Sequence, residues 1–210
     1  MTSVYLTIDT EYSAALANGP CRVDRAENFM RSIACITPGG PAGITHKLDL
    51  LAQYGQRAVF FVDPMPALLW GVAAIEDVVA PILEAGQDIQ LHCHTEWLDL
   101  APADHPLKGL SGRNIKDFGF EDQCRILEWA RDTLVSAGSP DPVAFRAGNY
   151  GANRDTLRAL QELGLNYDSS HTPGIPDGAC DLELSENDTQ PLLYEGMIEV
   201  PVSCVGDIGG

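Results

Sequence analysis

The chain has 210 residues, with 13 Lys and Arg against 30 Asp and Glu, which gives a formal net charge of −17 at pH 7. An apolar fraction of 45% is ordinary for a globular protein and excludes wholesale disorder. The acidic excess argues against nucleic acid and anionic lipid as partners, because both attract a surplus of cations. No stretch approaches the roughly 20 apolar residues that span a bilayer, and the first residues show no export signal. These features predict one domain over residues 1–210, a cytoplasmic location and no membrane insertion.

Short apolar runs alternate with amphipathic stretches along the chain. Strands are predicted over residues 4–8, 58–62, 88–92, 143–146, 166–169 and 198–201. Helices are predicted over residues 44–54, 75–85, 121–137 and 154–163, with a kink expected at Pro81. Long loops are expected over residues 11–42 and 98–119. This alternation favours parallel strands with helices outside, as a closed or partly closed β/α barrel first and an open doubly wound sheet second.

Polar side chains collect at or just past the predicted carboxyl ends of the strands, the edge where ligands bind in β/α folds. The residues that share this position are Asp9, Glu11, His92, His94, Glu96, Arg146 and Tyr150. Their concentration at one edge predicts a functional site there.

His92-Cys93-His94 places two imidazoles at positions i and i+2. On an extended segment this spacing puts both side chains on one face. A carboxylate from another strand end would complete two histidines and one acid with an open position, the ligand set of a hydrolytic metal centre. The alternative is a pair of exposed loop histidines.

Asp9-Thr10-Glu11 offers two acids at the same spacing, which would serve as a base and a metal ligand. Alternatives are a solvated turn in which Asp9 caps a helix, or a phosphotransferase of the haloacid-dehalogenase type. That type needs a second aspartate and a following Gly-Thr, where this chain has Glu11-Tyr12-Ser13. Arg146 ends a strand and either pairs with a strand-end carboxylate, holding it ionised and oriented, or lies on the surface.

Taken together, these segments resemble the polysaccharide deacetylase family, carbohydrate esterase family four with the NodB-homology fold. The segments that carry the resemblance, in order, are residues 7–11, 58–62, 86–97, 145–151 and 164–170. The resemblance implies a distorted, incomplete (β/α) barrel and a metal-dependent hydrolase. It would remove an acetyl or formyl group from an amine of an amino sugar or glycan precursor. The implied cofactor is a divalent metal, Zn²⁺ first, with Co²⁺ or Mn²⁺ as alternatives.

The resemblance also implies roles for individual residues. Asp9 matches the catalytic base, His92 the first metal histidine, Arg146 the arginine that orients the base, and Tyr150 the aromatic residue that closes the acyl pocket. Several positions depart from the family pattern. The family's second aspartate is replaced by Thr10, so Glu11 is expected as the metal ligand. Glu96 stands where the family has its second histidine, so His94 is expected as the other ligand, with Glu96 as its substitute.

The family's last motif supplies a histidine that protonates the departing amine, and no histidine follows His171 in this sequence. We therefore expect the chain to lack the family's C-terminal segment, and a homo-oligomer would be one way to cover the edge left exposed. His171 is the internal candidate for the acid, although it also fits an ordinary loop histidine. The alternative function is a non-catalytic relative that binds a sugar or a partner.

Overall fold

A seven-stranded sheet forms the centre of the computed structural model, which describes residues 4–175 and 178–203. Its strands in chain order are β1 (Thr7–Thr10), β4 (Val59–Val62), β5 (Asp88–Cys93), β6 (Ala144–Ala147), β7 (Tyr167–Asp168), β8 (Leu192–Tyr194) and β9 (Met197–Glu199). The spatial order is β1-β4-β5-β6-β7-β9-β8, and every neighbouring pair is parallel except β8 with β9. A separate hairpin consists of β2 (Ile36–Thr37) and β3 (Gly40–Pro41).

The α-helices in the described residues are α1 (Ala14–Ala17), α2 (Arg25–Asn28), α3 (Ile44–Tyr54), α4 (Ala67–Trp70), α5 (Ala73–Glu84), α6 (Phe120–Ser136) and α7 (Arg154–Glu162). Four of them, α3, α5, α6 and α7, correspond to those predicted, whereas α1, α2 and α4 are short helices that the spacing did not predict. Gly55 ends α3 in the left-handed conformation at φ 59°, as expected for a glycine that follows a helix. None of the helices within residues 4–175 and 178–203 has the length and apolarity needed to span a bilayer.

The two faces of the sheet have different compositions because side chains alternate along each strand. One face carries Phe60, Leu91 and Phe145, which are fully buried in the core formed with the helices. Each such side chain contributes about 1.5–3 kcal/mol through burial of apolar surface. Residues of the opposite parity include His92 and Arg146, which are direct partners across β5 and β6. This alternation places the polar residues of neighbouring strands on one face.

The predicted first strand over residues 4–8 was wrong in its position. β1 begins at Thr7, and the side chains of Val4, Tyr5 and Leu6 before it are 80%, 67% and 46% exposed. The register explains the shift, since Thr7–Thr10 pairs with Val59–Val62 of β4. Within the described residues β1 is an edge strand, so the apolar residues ahead of it have no second neighbour to pack against.

Pro81 does not break α5, which runs without interruption from Ala73 to Glu84, while the kink expected there stays a prediction. A proline removes the hydrogen bond to the carbonyl four residues earlier, which here belongs to Asp77. Asp77 is exposed, whereas the buried stripe of α5 runs through Ala74, Val78 and Ile82. Water can therefore bind the released carbonyl, and the helix continues.

The α/β class with a mostly parallel sheet is confirmed, whereas closure into a barrel is not. Within the described residues, β1 and β8 lie at the two edges and are not paired with each other. The long connection over residues 11–42 holds α1, α2 and the hairpin rather than irregular chain, and residues 98–119 include a 3-10 turn, Ile115–Asp117. Residues 204–210, on which the expected lack of a C-terminal segment rests, lie outside the described residues.

Candidate metal centre

Glu11, His92 and His94 converge at the carboxyl edge of β1 and β5. Glu11 directly follows β1, His92 lies in β5, and His94 directly follows β5. The Oε2 atom of Glu11 is 3.0 Å from Nε2 of His92 and 2.6 Å from Nε2 of His94. All three possible ligand atoms lie within 4.8 Å of one another. The structure thus brings together the three residues that the sequence predicted as metal ligands, while their binding of a metal stays a prediction.

The other ring nitrogen of each histidine determines which atom faces Glu11. Nδ1 of His92 lies 2.7 Å from the backbone carbonyl oxygen of Arg146, and Nδ1 of His94 lies 3.1 Å from Oε2 of Glu96. Both partners only accept hydrogen bonds, so each Nδ1 carries the proton. In a neutral ring Nε2 then directs its lone pair at the carboxylate of Glu11. Two lone pairs and one carboxylate pointing at the same place fit a divalent cation that takes nitrogen and oxygen ligands.

The electrostatics of the cluster also favour a positive charge next to Glu11. Burial would lower the pKa of His94, but its hydrogen bonds to Glu11 and Glu96 outweigh burial and raise the pKa to about 11. Burial would raise the pKa of Glu11, but the contacts with His92 and His94 hold it far below its ordinary value. Without a metal, Glu11 is therefore ionised and His94 carries a proton on Nε2 that bonds to it; a cation bound there would replace that proton.

Asp9 and Arg146 form an ion pair next to this cluster. Nη1 of Arg146 is 2.6 Å from Oδ1 of Asp9, and the arginine side chain is only 4% exposed. The remaining guanidinium nitrogens donate to Thr7 Oγ1 at 3.0 Å, to the Ser169 carbonyl at 3.0 Å and to Ser169 Oγ at 2.8 Å. The guanidinium also lies 4.3 Å from the centre of the Phe61 ring. These contacts hold Arg146 in place, so that it fixes the orientation of the Asp9 carboxylate.

Asp9 and Glu11 open into one cleft of about 410 Å³. Its lining residues are Asp9, Glu11, Tyr12, Ser13, Ala14, Ala15, Ser32, His94, Glu96 and Trp97. The wall opposite the strand ends comes from the connection after β1. A carboxylate held by an arginine and a candidate cation site thus face the same space.

The turn after β6 holds Tyr150, the aromatic residue expected at the acyl pocket. Asn149 and Tyr150 both have positive φ, 53° and 58°, a conformation that costs a non-glycine side chain energy. Gly148 begins the turn, and a Cβ there would meet the carbonyl of Cys93 at 2.6 Å and the His94 ring at 2.8 Å. The turn therefore packs directly against the cluster, and the predicted role of Tyr150 is not tested by this geometry.

Two residues of the site, Asp63 and Asn149, were not predicted from the sequence. Asp63 follows β4 at the same edge and is 1% exposed, and its Oδ1 accepts a hydrogen bond from the backbone N–H of His94 at 3.3 Å. Burial raises the pKa of Asp63 to about 6. Its position after a strand is the same signal that singles out Asp9. Asn149 has no such signal in the sequence, because its contact with Glu96 depends on the left-handed turn.

His171, the internal candidate for the acid, lies elsewhere. Its Nε2 is 3.0 Å from the carbonyl oxygen of Ser185, and the side chain is buried. It lines a different cavity, together with residues such as Cys180 and Leu182. Its geometry is that of a histidine that holds two loops together.

Comparison with known proteins gives matches to one family. The family model for polysaccharide deacetylase matches residues 2–167. A structure from Mycobacterium smegmatis, provisionally assigned as a polysaccharide deacetylase, aligns with a TM-score of 0.61 and 20% identity over 98% of this chain and 64% of that chain. The chain thus spans less than two thirds of that protein, and the likeness is one of fold. Comparison with curated proteins gave no match.

Two further structures align at lower TM-scores. One is a family 4 carbohydrate esterase from Streptomyces lividans in complex with acetate, with a TM-score of 0.45 and 16% identity over 79% of this chain and 60% of that chain. The other is the peptidoglycan deacetylase PdaC from Bacillus subtilis, with a TM-score of 0.38 and 16% identity over 86% of this chain and 56% of that chain. Because the family model matches most of the chain, including the strands that carry Asp9, His92 and Arg146, the protein belongs to the polysaccharide deacetylase family.

Proposed function

We propose that the protein is a metal-dependent hydrolase that removes an acetyl or formyl group from the amine of an amino sugar, within a glycan or a glycan precursor. The observation that carries this proposal is the convergence of Glu11, His92 and His94 beside the Asp9–Arg146 pair, with Asp9, Glu11 and His94 lining one cleft. Family membership supports the same chemistry. The donor set of two imidazoles and one carboxylate favours Zn²⁺, with Co²⁺ and Mn²⁺ as alternatives.

Each residue of the site has its own role in the proposed reaction. Glu11, His92 and His94 would hold a divalent cation, which when bound would supply a Lewis acid and make water a usable nucleophile near neutral pH. Asp9 accepts the proton of the attacking water on its carboxylate, and Arg146 holds that carboxylate in position through their ion pair. Water oxygen forms the new bond to the acyl carbon, and the carbon–nitrogen bond breaks. The amine leaves with a proton, for which the protonated Asp9 is the donor that we propose.

The lining of the cleft bears on the kind of substrate that it can hold. The cleft is walled by small side chains such as Ala14, Ala15 and Ser32, and the ring of Trp97 behind them is fully buried. This composition suits a small acyl group on a pyranose. The cytoplasmic location inferred from the sequence stays a prediction and favours a sugar precursor over an assembled wall polymer.

The test measures acyl release by the metal-loaded chain. Protein freed of metal with a chelator is reloaded with Zn²⁺, Co²⁺ or Mn²⁺ and offered N-acetylated and N-formylated amino sugars and their oligomers, with acetate and formate as the readout. Activity that returns with metal supports the proposal. Asp9→Asn is expected to lower kcat by about 10²–10⁴-fold while metal binding persists. Stoichiometric metal with no release from the panel would favour the alternative, a sugar- or partner-binding relative without catalysis.

A further inference from the structure

Glu96 contacts the candidate metal centre from behind His94. It lies in the 3-10 turn Thr95–Asp99, and its Oε2 is 3.1 Å from Nδ1 of His94. Its other oxygen, Oε1, accepts a hydrogen bond from the side-chain amide of Asn149 at 2.7 Å. Nδ1 lies on the opposite side of the imidazole from the Nε2 atom that faces Glu11. Both oxygens of Glu96 are therefore engaged away from the point where the other donors converge.

The turn after β6 holds this arrangement from a second direction. Asn149 reaches Glu96 from a left-handed backbone conformation, φ 53°, which asparagine tolerates better than most residues. Gly148 lies so close to His94 that an added Cβ would be 2.8 Å from the ring carbon Cγ and 2.9 Å from Nδ1. The ring of His94 thus rests on the Gly148 backbone while Glu96 holds its Nδ1.

The two candidate histidine ligands are oriented by different partners. His92 donates from Nδ1 to a backbone carbonyl, which is neutral, whereas His94 donates to a carboxylate. A carboxylate behind a metal-binding histidine fixes the ring orientation and makes the ligand nitrogen more basic. Glu96 lies two residues after His94, and its hydrogen bond to Asn149 holds its carboxylate behind the His94 ring.

We propose that Glu96 is a positioning residue that orients His94 toward the metal and increases metal affinity, and that it is not itself a metal ligand. This inference rests on the proposed metal centre. It assigns a new role to the side chain that stands where the family has a histidine. Asn149 supports the role by keeping the Glu96 carboxylate turned toward Nδ1.

The experiment measures the Zn²⁺ affinity of the full chain by competition with a chelator, for the wild type and four variants. Glu96→Ala is expected to weaken affinity about 10–100-fold, because the ring loses its orienting carboxylate. Glu96→Gln retains an acceptor for Nδ1 but not its charge, so a smaller loss is expected, and Asn149→Ala should lose less than Glu96→Ala. Glu76→Ala, at an exposed position of α5, is the matched control and should bind as the wild type does.

A second readout separates positioning from direct ligation. The visible absorption of the Co²⁺-loaded protein reports coordination number and ligand type. At saturating Co²⁺, Glu96→Ala should give the spectrum of the wild type, since the ligands are unchanged. A changed spectrum would make Glu96 a ligand and overturn the inference, as would an unchanged Zn²⁺ affinity of Glu96→Ala.

Failure of the proposed function gives a different pattern. Glu11→Ala should lose metal whatever Glu96 does. If the wild type binds no metal, the metal centre itself is wrong, and the inference about Glu96 falls with it. If the wild type binds metal, Glu11→Ala does not, and Glu96→Ala matches the wild type, only the positioning role is wrong.

Discussion

The half-buried carboxylate of Glu11, which follows β1, and a buried pair of carboxylates in β7 and β9 have opposite electrostatic character. At the ends of β1 and β5, Glu11 faces two imidazoles, and its pKa lies below the ordinary value. At β7 and β9, Asp168 and Glu199 face each other, and burial raises the pKa of both. Burial disfavours charge in both places, so the neighbours decide the outcome. Imidazoles keep a carboxylate ionised, whereas a second carboxylate keeps it protonated.

The acid pair has the contacts of a structural group. Asp168 and Glu199 are direct partners across the parallel strands, and they are 0% and 1% exposed. Ser170 donates to Asp168 from its hydroxyl at 2.8 Å, and the backbone N–H of His171 donates to Glu199 at 3.0 Å. One proton shared between the carboxyl groups removes the repulsion between two buried charges. The acid pair thus links two strands, whereas the carboxylate of Glu11 favours a cation beside it.

The largest expected effect is that of Glu11→Ala, which removes the carboxylate from the cluster of Glu11, His92 and His94. We expect loss of stoichiometric metal and a fall in kcat/KM of about 10³-fold or more, because the two imidazoles then bind alone and the activated water is lost. Metal content by elemental analysis and acetate release measure both effects. A variant that keeps one metal per chain would contradict the assignment of Glu11.

Arg146→Met tests how much the ion pair between Asp9 and Arg146 contributes to the stability of the fold. The substitution leaves Asp9 without its partner and the polar groups of Ser169 and Thr7 without a donor. Breaking a buried pair costs about 3–5 kcal/mol, and the 29% exposure of Asp9 places the expected loss at the low end.

Denaturant unfolding measures that loss, with Arg125→Met as the control. Arg125 is paired with Asp122 one turn earlier on exposed α6, and both side chains are well exposed, at 52% and 40%. Such surface pairs contribute about 0–1 kcal/mol. Equal effects of the two substitutions would show that the Asp9–Arg146 pair is not the buried anchor that its contacts indicate.

The smallest expected effect, taken per pH unit, concerns the protonated carboxylate pair of Asp168 and Glu199. Glu199 has an ordinary pKa of 4.5 in the unfolded chain and a raised pKa when folded, through burial and the facing Asp168, with Arg146 opposing. The folded state therefore binds a proton that the unfolded state releases above pH 4.5. Stability falls as pH rises from that point toward the raised pKa, by at most about 1.4 kcal/mol per pH unit.

Glu199→Gln should flatten this dependence, because an amide keeps the neutral hydrogen-bonding group without a proton to lose. Thermal unfolding between pH 5 and 8 measures the slope of stability against pH. Glu128→Gln, at an exposed position of α6, should retain the slope of the wild type. A slope unchanged by Glu199→Gln would mean that the pair is ionised when folded.

The edge on which the site lies could be predicted because its signals are local. Asp9 and Glu11, like His92 and His94, repeat with the two-residue period of an extended chain, and that period alone puts each pair on one face. Parallel strands bring their carboxyl ends to one edge, so strand order along the chain was enough to gather these residues. The bounds of α3 followed in the same way from its apolar spacing and Gly55.

Other features depended on contacts between segments far apart in the sequence. The start of β1 follows from its register with β4, and the place of β1 and β8 at the edges of the described sheet follows from which strands pair. Both are properties of several strands at once, which no single segment encodes.

The sequence by itself determined the α/β class, the edge that carries the site and the side chains that meet there, because periods of two and of about 3.6 residues act over short distances. Only the tertiary structure decided that Glu96 lies behind His94, that Asn149 reaches it from a left-handed turn, and that Asp168 pairs with Glu199. The physical reason is that a buried polar group takes its ionisation and orientation from partners that the fold, not the neighbouring sequence, brings within hydrogen-bonding distance.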